Sequence, residues 1–456
     1  MHAMNGPTDT SAAPTPAGAA PAIAVFTRDL RVEDNPVLSA AQHTGSVVVP
    51  LFVLDDELIA RFAAPNRVRF LLAALTELDA ELHRLRSHLV IRRGDTVLET
   101  ARLAHQAAAA SVHIAADVSA YSARRVRRMR EELTECAVHV HGASVTAVDP
   151  GAVQPSGGGD HFAVFTPYFR RWIEARRRTP LPTPVGLGTP PVGGDRLAAA
   201  ADLCHATGSP HLNVGGATTG RKLLRQWASR AVHDYDRLSD SLDADATSHL
   251  SPYLHFGCLS PTQVLAAVDT NTEGGHAFAR QLAWRDFHHQ VLAARPDAAW
   301  SDYRARRITW RSDPHAVAAW QQGRTGLPIV DAGMRQLLAE GWMPGRARLI
   351  AASFLTKTLR IDWRIGARHF LHWLVDGDLA NNQLNWQWAA GTGTDTRPNR
   401  VLNPLRQAAR FDPDGDYVRR WIPELTELAG ASIHRPWRHG VDPARYPAPI
   451  AECAGM

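Results

Sequence analysis

The chain has 456 residues, of which 45% are hydrophobic and 21% are charged, and its formal net charge is +5. This length allows two or three domains with a substantial core, and the composition is typical of a globular protein. The sequence has no run of about 18 apolar residues, so it predicts no membrane span and no membrane partner. Its four cysteines are widely spaced, which predicts that they form no metal site and that the protein lies in the reducing cytoplasm.

The first 150 residues divide into a tail and an alternating region. Residues 1–21 lack a basic start and a continuous apolar run, so they predict a disordered tail and not a signal peptide. Over residues 22–150, short apolar runs such as AIAVFT and SVVVPLFVL alternate with segments of helical periodicity. This alternation predicts a doubly wound parallel sheet, and Asn35 followed by Pro36 predicts the cap of its first helix.

The carboxyl edge of such a sheet is the usual ligand site. No G-x-G-x-x-G pattern follows the first strand, so a Rossmann-type dinucleotide site is not indicated. Arg28 and Asp29 directly follow that strand. We therefore expect these two residues to lie at the ligand edge of the sheet.

The rest of the chain predicts a linker and a helical domain. Residues 151–215 are rich in Pro and Gly, with one docked helix expected in FTPYFRRWIEARRR. Residues 216–456 have helical patterns and few strand signals. There LSPTQVL predicts a helix start with Ser260 as N-cap, Pro261 in the first turn and Gln263 completing a capping box. PGRARLIAASFLTKTLRIDW predicts one further long helix.

Basic and aromatic residues are unevenly distributed. Residues 1–210 hold 21 basic and 21 acidic side chains, whereas residues 211–456 hold 29 and 24, with 12 of the 13 tryptophans. Arginine makes bidentate contacts with phosphate, and aromatic rings stack on unpaired bases. The helical half is therefore the candidate for nucleic-acid binding, although a GC-rich genome would also explain the preference for Arg over Lys.

Five stretches resemble motifs of the DNA photolyase/cryptochrome family, in the family's order and over nearly the whole chain. They are FTRDLRVEDNPVL, ATSHLSPYLHFGCLSP, WRDFHH, TGLPIVDAGMRQLLAEGWMPGRAR and RIDWR. The resemblance, strongest to the class I cyclobutane-dimer branch, implies an α/β antenna domain, a long linker and a helical FAD domain. It also implies a monomer that repairs pyrimidine dimers in damaged DNA with light. An antenna chromophore, 8-hydroxy-5-deazaflavin or methenyltetrahydrofolate, is a further expectation.

The resemblance implies a set of FAD-binding residues. TSHLS precedes a helix, where N–H groups and hydroxyls can bind phosphate, and simple capping is the alternative. Arg348 with a carboxylate partner would balance the charge of the reduced flavin, and a packing ion pair is the alternative. The set is Tyr235, Thr247, Ser248, His249, Leu250, Ser251, Arg348, Asp376, Gly377, Asp378 and Asn382.

Asn382 is implied to face the flavin N5. An amide at this position can donate or accept a hydrogen bond without titrating. The neighbouring amides Asn381, Gln383 and Asn385 depart from the small residues often found in the family, and the sequence assigns them no role beyond packing or capping.

Three tryptophans match the family's electron-transfer series. Trp386, Trp363 and Trp310 are implied to lead from the flavin outward to solvent, and Asn382 and these three residues form the predicted catalytic set. Indole is readily oxidised, so spaced rings can relay an electron over a distance that one ring cannot cover. Packing is the alternative role, as it is for most tryptophans.

The predicted DNA contacts include two tryptophans, Trp284 and Trp388, at family positions that flank an extruded pyrimidine pair. Gln281, His288 and Gly345 replace the Glu, Tyr and Asn of the best-known cyclobutane-dimer enzymes, so repair of the (6–4) photoproduct is an alternative. A cryptochrome-like photoreceptor is another, and Asn382 weighs against it. The full set is Gln281, Trp284, Arg285, His288, Gly345, Arg346, Trp388 and Gln407.

Overall fold

The computed structural model describes residues 20–195, residue 203 and residues 206–452. The predicted tail at residues 1–21 therefore lies outside the described residues except for its last two. Within the described part of the chain, no helix is long and apolar enough to cross a membrane.

The N-terminal region is built on a parallel sheet with the strand order β3-β2-β1-β4-β5. The strands are β1 Ala22–Phe26, β2 Val48–Asp55, β3 Val90–Gly94, β4 Ser111–Ala115 and β5 Ala137–His141. In the central strand, Ala22 pairs with Val48 on one side and with Ser111 on the other. Strands β1, β2 and β4 are buried along their whole length because helices cover both faces of the sheet. The predicted doubly wound sheet is confirmed.

The helices of this region begin where the sequence places caps. They are α1 Pro36–Thr44, α2 Asp56–Phe62, α3 Pro65–Arg84, α4 Thr96–Gln106 and α5 Ala120–Glu132. The Asn35 side chain accepts a hydrogen bond from the Leu38 N–H at 3.0 Å, which confirms its predicted role. Asp55 and Asp95 cap α2 and α4 in the same way, at the ends of the preceding strands.

The linker contains the predicted docked helix, α6 Phe165–Glu174. Its buried side chains recur at helical spacing and form one apolar face. They are Phe165, Tyr168, Phe169 and Trp172. The Trp172 Nε1 donates to Asp286 Oδ2 at 3.0 Å, and Asp286 also accepts from the backbone N–H groups of Ala147 and Val148. One buried carboxylate thus ties the linker to the helical region.

The remaining α-helices form the C-terminal region, and six of them line the candidate site. They are α7 Ala217–Ala228, α8 Tyr235–Leu238, α9 Ser251–Phe256, α10 Pro261–Ala266, α11 Glu273–Ala294, α12 Pro314–Gln321, α13 Pro328–Glu340, α14 Gly345–Ser353, α15 Trp363–Trp373, α16 Leu379–Ala390, α17 Pro404–Phe411 and α18 Asp416–Trp421. The capping box of Ser260 and Gln263 at the start of α10 is confirmed. The all-helical character predicted for this region is confirmed as well.

The long helix predicted after Pro344 is confirmed over residues 345–358, but its predicted end at Trp363 is wrong. Helix α14 ends at Ser353 and continues as a π-helical segment, Phe354–Thr358. Arg360 then adopts a left-handed backbone conformation with φ 59°, and Asp362 caps α15 by accepting from the Arg364 N–H. The apolar stripe runs through both helices, so periodicity alone does not reveal the break.

The residues after β1 do not face an open ligand edge, which corrects the expectation for Arg28 and Asp29. Arg28 reaches into the helical region, where Nη2 lies 2.5 Å from Asp378 and Nε donates to the His255 carbonyl at 3.2 Å. Its Nη1 lies 3.4 Å from Asp117. Asp29 is fully buried. The carboxylate that holds Arg28 lies 350 residues further along the chain, so the sequence offered no local sign of it.

Candidate cofactor and DNA site

A cavity of about 580 Å³ lies among helices α8, α9, α11, α14, α15 and α16. Most residues of the predicted cofactor and DNA sets line it. These are Tyr235, Thr247, Ser248, Ser251, Gln281, Trp284, Arg285, His288, Gly345, Arg346, Arg348, Asp376, Asp378, Asn382, Trp386 and Trp388. A volume of this size suits a bound organic cofactor. The fold therefore brings together residues that span about 150 positions of the sequence.

The stretch before α9 supplies hydroxyl groups to the cavity. Thr247 Oγ1 is buried without a hydrogen-bond partner, and Ser248 and Ser251 lie beside it in the lining. The other two residues of this stretch do not line the cavity. His249, with φ 51°, stacks on Trp342 at a ring distance of 4.0 Å, and Leu250 belongs to the core. The structure thus supports a ligand contact for three of the five residues.

An ion pair crosses one wall of the cavity. Arg348 Nη2 lies 2.8 Å from Asp376 Oδ2, and Arg348 Nε donates to the Met343 carbonyl at 2.8 Å. Asp376 Oδ1 is buried without a partner, so it can accept a hydrogen bond from a ligand. Gly377 does not line the cavity, and a Cβ there would lie 2.9 Å from Arg67 Nη1. Gly377 therefore serves close packing and is not supported as a ligand contact.

Asp378 connects the cavity to the sheet region. Its Oδ1 caps α16 by accepting from the Asn381 N–H at 2.8 Å and the Asn381 side chain at 2.7 Å. Its Oδ2 contacts Arg28, and the His289 Nε2 lies 3.5 Å away. Burial opposes ionisation, yet His289, Arg28 and Arg285 hold the pKa of Asp378 well below its usual range. Asp378 is therefore a permanent negative charge in the cavity wall.

A series of amides fixes the orientation of Asn382. Gln383 Nε2 donates to the Ala299 carbonyl at 2.6 Å, which leaves its Oε1 to accept from Asn382 Nδ2 at 2.9 Å. The same Nδ2 also donates to the Ala367 carbonyl at 3.1 Å. Because carbonyl groups only accept, both amides have one possible orientation. Asn382 Oδ1 is left as a hydrogen-bond acceptor without a partner among the described residues.

The other amides of α16 hold the neighbouring loop. Gln387 Nε2 donates to the carbonyls of Ala298 and Ser301 at 2.7 and 3.1 Å, and its Oε1 accepts from the Tyr303 N–H at 2.7 Å. Asn385 donates to the Asn381 carbonyl within the helix. The dense amides of this helix thus orient Asn382 and fasten the loop that follows α11.

Trp386 is the buried tryptophan of the cavity wall. Its ring lies so close to α15 that a Cβ at Gly366 would be only 2.1 Å from it. Its Nε1 has no partner, although the ring is buried. Trp320, which the sequence analysis did not single out, lies 5.9 Å from Trp386 at an interplanar angle of 77°.

The other two members of the tryptophan series lie outside this cavity. Trp363 begins α15, one turn before Gly366, and is fully buried. Its Nε1 donates to Asp302 Oδ1 at 2.9 Å, and the Arg364 guanidinium lies 4.7 Å from its ring. Trp310 lines a second cavity. All three tryptophans belong to or pack against the same apolar cluster.

Helix α11 presents one face to the cavity. Its lining residues recur at intervals of three and four positions, as one side of a helix requires. They are Phe278, Gln281, Leu282, Arg285 and His288, with Trp284 beside them. Phe278 was missed by the sequence analysis, although its helical spacing from Gln281 and Arg285 could have revealed it. Trp284 stacks on Phe165 of the linker helix, with a centroid distance of 3.7 Å.

Two polar residues of this face differ in what they offer a ligand. Arg285 donates to the Val145 and Leu254 carbonyls at 2.6 and 3.5 Å, so its predicted DNA contact is not supported and it instead ties elements together. His288 lies 3.1 Å from Asn381 Oδ1 through Nδ1, and its buried Nε2 has no partner. Burial lowers the pKa of His288 to about 4, so the ring is neutral at pH 7.

The remaining DNA candidates differ in their partners. Arg346 is paired with Asp240 at 2.5 Å, and its guanidinium lies 4.3 Å from the Phe411 ring. Gln407 accepts from Arg346 at 3.4 Å but does not line the cavity. The Arg400 guanidinium lies 5.6 Å from the Trp388 ring. Asp240 was not predicted from the sequence, because its role depends on an arginine 106 residues away.

The cavity fits FAD chemically. It has unpartnered hydroxyl, carboxylate and indole groups for hydrogen bonds, an ion pair for charge and aromatic walls for a heteroaromatic ring. The buried polar atoms without partners on its lining residues are Thr247 Oγ1, His255 Nδ1, His288 Nε2, Arg346 Nε, Asp376 Oδ1 and Trp386 Nε1. In contrast, the described residues contain no group of three His, Cys, Asp or Glu that could hold a metal ion.

Family models match both halves of the chain. A model described as "DNA photolyase" matches residues 22–185, and one described as "FAD binding domain of DNA photolyase" matches residues 278–455. The chain is 55% identical to a deoxyribodipyrimidine photo-lyase of Streptomyces griseus, over 95% of this chain and 96% of the relative. It is 36% identical to the protein of that name from Halobacterium salinarum, over 93% of this chain and 95% of the relative.

Solved structures of similar proteins share the fold. A class III photolyase from Agrobacterium tumefaciens superposes with a TM-score of 0.89 at 31% identity, covering 97% of this chain and 96% of that one. An archaeal photolyase from Sulfolobus tokodaii with two FAD molecules has a TM-score of 0.83 at 30% identity, covering 94% and 96%.

Proposed function

The chain belongs to the DNA photolyase/cryptochrome family, and from this premise we propose roles for residues of its cavity and rim. The activity is light-driven repair of pyrimidine dimers in DNA, with FAD as the cofactor. When bound, reduced FAD supplies on illumination the electron that splits the cyclobutane ring and recovers it afterwards. The reaction needs no nucleophilic side chain, because the residues bind and orient the cofactor and the lesion and exclude water.

The observation that supports the cofactor assignment best is the free Oδ1 of Asn382. Its orientation, set by Gln383 and Ala367, offers an acceptor to the N–H that a reduced isoalloxazine carries and an oxidised one lacks. Arg348, held by Asp376, supplies positive charge for the reduced ring. The hydroxyls of Thr247, Ser248 and Ser251 would bind the pyrophosphate, and Tyr235 would complete the enclosure.

The DNA-facing residues are proposed to hold the extruded lesion. Trp284 and Trp388 would form its walls, since enzymes that act on a base in a duplex bind it between apolar surfaces. Gln281 and neutral His288 would hydrogen-bond the pyrimidine carbonyl and imide groups. Gly345 leaves open space for the lesion to approach the backbone, because a Cβ at this position would have no neighbouring atom within 4 Å.

At the rim, Arg346 and Gln407 would meet the phosphate backbone. Arg346 would have to leave Asp240 for this, and an ion pair with an exposed carboxylate holds it weakly. Arg285 is proposed as a positioning residue because its guanidinium already binds carbonyl oxygens.

We propose the same domain limits as the sequence predicts: 22–150 for the antenna domain, 151–215 for the linker and 216–456 for the helical domain. An antenna chromophore, 8-hydroxy-5-deazaflavin or methenyltetrahydrofolate, is proposed for the first, and two FAD molecules in the similar Sulfolobus tokodaii protein support a second chromophore. A cytoplasmic monomer is proposed as well. The free, buried thiols of Cys136 and Cys258 suit a reducing compartment, and gel filtration with light scattering tests the monomer.

The experiment that tests the lesion assignment uses two oligonucleotides, one with a cyclobutane thymine dimer and one with a (6–4) photoproduct. Each is illuminated with reduced protein, and restored thymines are measured by chromatography, with dark samples as controls. We expect repair of the cyclobutane dimer alone. Repair of only the (6–4) lesion would overturn the lesion assignment, and repair of neither would favour a photoreceptor. The names of the relatives support the first outcome.

A further inference from the structure

A second cavity, of about 460 Å³, lies around Trp310. Its lining contains four basic side chains, Arg306, Arg307, Lys357 and Arg360, and no Asp or Glu among the described residues. A recess lined by charges of one sign concentrates ions of the opposite sign. The cavity therefore has the charge and the volume for a small organic anion, with an indole in its wall.

The arginines of this cavity are not neutralised by the protein. Arg306, Arg307 and Arg360 are exposed, and none of them has a carboxylate within ion-pair distance in the described part of the chain. Arg360 Nη2 donates only to the Thr309 carbonyl, at 3.3 Å. Their positive charge is thus available to a ligand.

Lys357 provides a fixed donor at the same place. Its Nζ donates to the carbonyls of Ala390 and Pro398, both at 2.7 Å, which leaves one of its three N–H groups free. Burial and then the charge of Arg306 lower the pKa of Lys357, while Asp395 opposes the shift. An anion would relieve this repulsion between Lys357 and Arg306. The lysine lies in the π-helical segment, a conformation frequent at functional sites.

The second cavity shares its walls with the first. On α16, Trp386 lines the first cavity and Ala390 lines the second, and these residues are four positions, about 6 Å, apart along the axis. On the α14 side, Ala352 lines the first and Thr356 the second, again four positions apart. The two cavities are therefore neighbours along the same two helical walls.

We propose that this second cavity is the docking site of a small anionic one-electron reductant, an enediolate or a thiolate, that re-reduces Trp310. The inference rests on the proposed photolyase function and on the role that the family resemblance implies for Trp310, that of the outermost member of the tryptophan series. In this role Trp310 would give one electron to Trp363 after Trp363 has lost one through Trp386, with the light-excited oxidised flavin, when bound, as the oxidant. The oxidised indole of Trp310 would then take one electron from the bound anion. The donor leaves oxidised by one electron, and any proton it loses goes to solvent.

Binding is tested in the dark with ascorbate, which is a monoanion at pH 7. The Trp310 indole N–H signal is assigned by its loss in Trp310→Phe, and its shift on titration with ascorbate gives the affinity. The variant R306Q/R307Q/R360Q is compared with R84Q/R127Q/R130Q, which removes the same charge from exposed arginines of the sheet region. We expect affinity to fall by about tenfold or more only in the first variant. Equal affinities in all three proteins overturn the proposal.

The electron step is tested by photoreduction of the bound flavin, with ascorbate or uncharged 1,4-hydroquinone as donor. The triple variant should lose about tenfold in rate with ascorbate but not with hydroquinone, and salt should slow the wild-type protein only with ascorbate. An equal loss with both donors would mean that the arginines do not recruit an anion, which overturns the proposal.

A different result would show that Trp310 is not the outermost member of the tryptophan series. If the flavin of Trp310→Phe is photoreduced as fast as that of the wild type with both donors, Trp310 is not the outermost member of the tryptophan series. The proposed docking site for its reductant is then refuted as well. If the effects of ascorbate are lost only in the triple variant, the role of Trp310 as the outermost member of the tryptophan series is unaffected. That result concerns only the binding of the anion in the second cavity. If the triple variant instead loses affinity for undamaged duplex and keeps its ascorbate affinity, the cavity binds DNA phosphate and the proposal is overturned.

Discussion

The Gln383 side chain holds the Asn382 amide in a single orientation, with Asn382 Nδ2 2.9 Å from Gln383 Oε1. Gln383 is itself fixed, because its Nε2 donates to the Ala299 carbonyl at 2.6 Å. The Ala299 carbonyl therefore sets the orientation of the Gln383 amide, and Gln383 in turn helps to set the orientation of Asn382 in the cavity wall. The Ala367 carbonyl accepts from the same Nδ2 at 3.1 Å and supports the same orientation. An amide turned the opposite way, with its donor toward the cofactor, would place Asn382 Oδ1 against these two acceptors.

Replacing Gln383 with Leu tests this relationship. The variant keeps an apolar volume but removes one of the two acceptors of Asn382 Nδ2, which leaves only the Ala367 carbonyl to hold the amide. We expect the reduced flavin to lose about 1 kcal/mol of stabilisation relative to the oxidised form. Redox titration of the bound flavin measures this loss. Gln226→Leu is the control, since Gln226 is exposed on α7 and lines neither cavity; an equal change in both variants would contradict the orienting role of Gln383.

Trp310→Phe should block the supply of electrons and leave repair intact. Phenylalanine is far harder to oxidise than tryptophan, so photoreduction of the oxidised flavin should fall by about tenfold or more. Protein that has been reduced chemically beforehand should repair dimers at the wild-type rate. Trp300→Phe is the matched control, because Trp300 is a 53% exposed tryptophan outside both cavities. Loss of repair by pre-reduced Trp310→Phe would show that this residue has another role.

Gly366→Ala should destabilise the protein through a single close contact. The new Cβ would lie 2.1 Å from the Trp386 ring and 2.7 Å from Leu355 Cδ2, and both of these side chains are buried. Overpacking of this kind costs about 1–3 kcal/mol. Thermal unfolding measures the loss, with Gly151→Ala as control because no atom lies within 4 Å of a Cβ there. An unchanged melting temperature would mean that Trp386 can shift, and the absorption spectrum of the flavin would then report the movement.

His288 should make the folded state sensitive to acid. Its pKa is about 4 in the folded protein and about 6.5 in the unfolded chain, so between these values the unfolded state binds more protons. Its contribution to stability is complete above pH 6.5 and is lost as the pH falls toward 4. From pH 7 to pH 5 the loss is about 2 kcal/mol.

The variant His288→Phe isolates this contribution from other titrating groups, including its neighbours His289 and Asp378. Its free energy of unfolding, measured by denaturant titration without DNA, should fall less between pH 7 and pH 5 than that of the wild type. His83→Phe is the control, because that histidine is exposed on α3. Parallel losses in the wild type and His288→Phe would show that His288 is already protonated or has an unshifted pKa.

Local patterns in the sequence were sufficient for the architecture. The alternation of apolar runs with helical periodicity determined the doubly wound sheet, and Asn35 and Ser260 marked helix starts that the structure confirms. These features depend on side chains and backbone groups only a few positions apart, so they can be read without a fold. Similarity to family motifs identified most residues that line the first cavity, including Asn382.

Only the tertiary structure decided which long-range partner each polar side chain takes. Arg28 lies beside Asp378, Arg285 is bound to carbonyl oxygens, and the arginines around Trp310 have no carboxylate partner among the described residues. A buried polar group must find a partner, and the partner depends on which distant segments pack together. Nothing within a few residues of Arg28 or Arg306 records that choice, so one arginine joins two regions of the protein and the other offers its charge to a ligand.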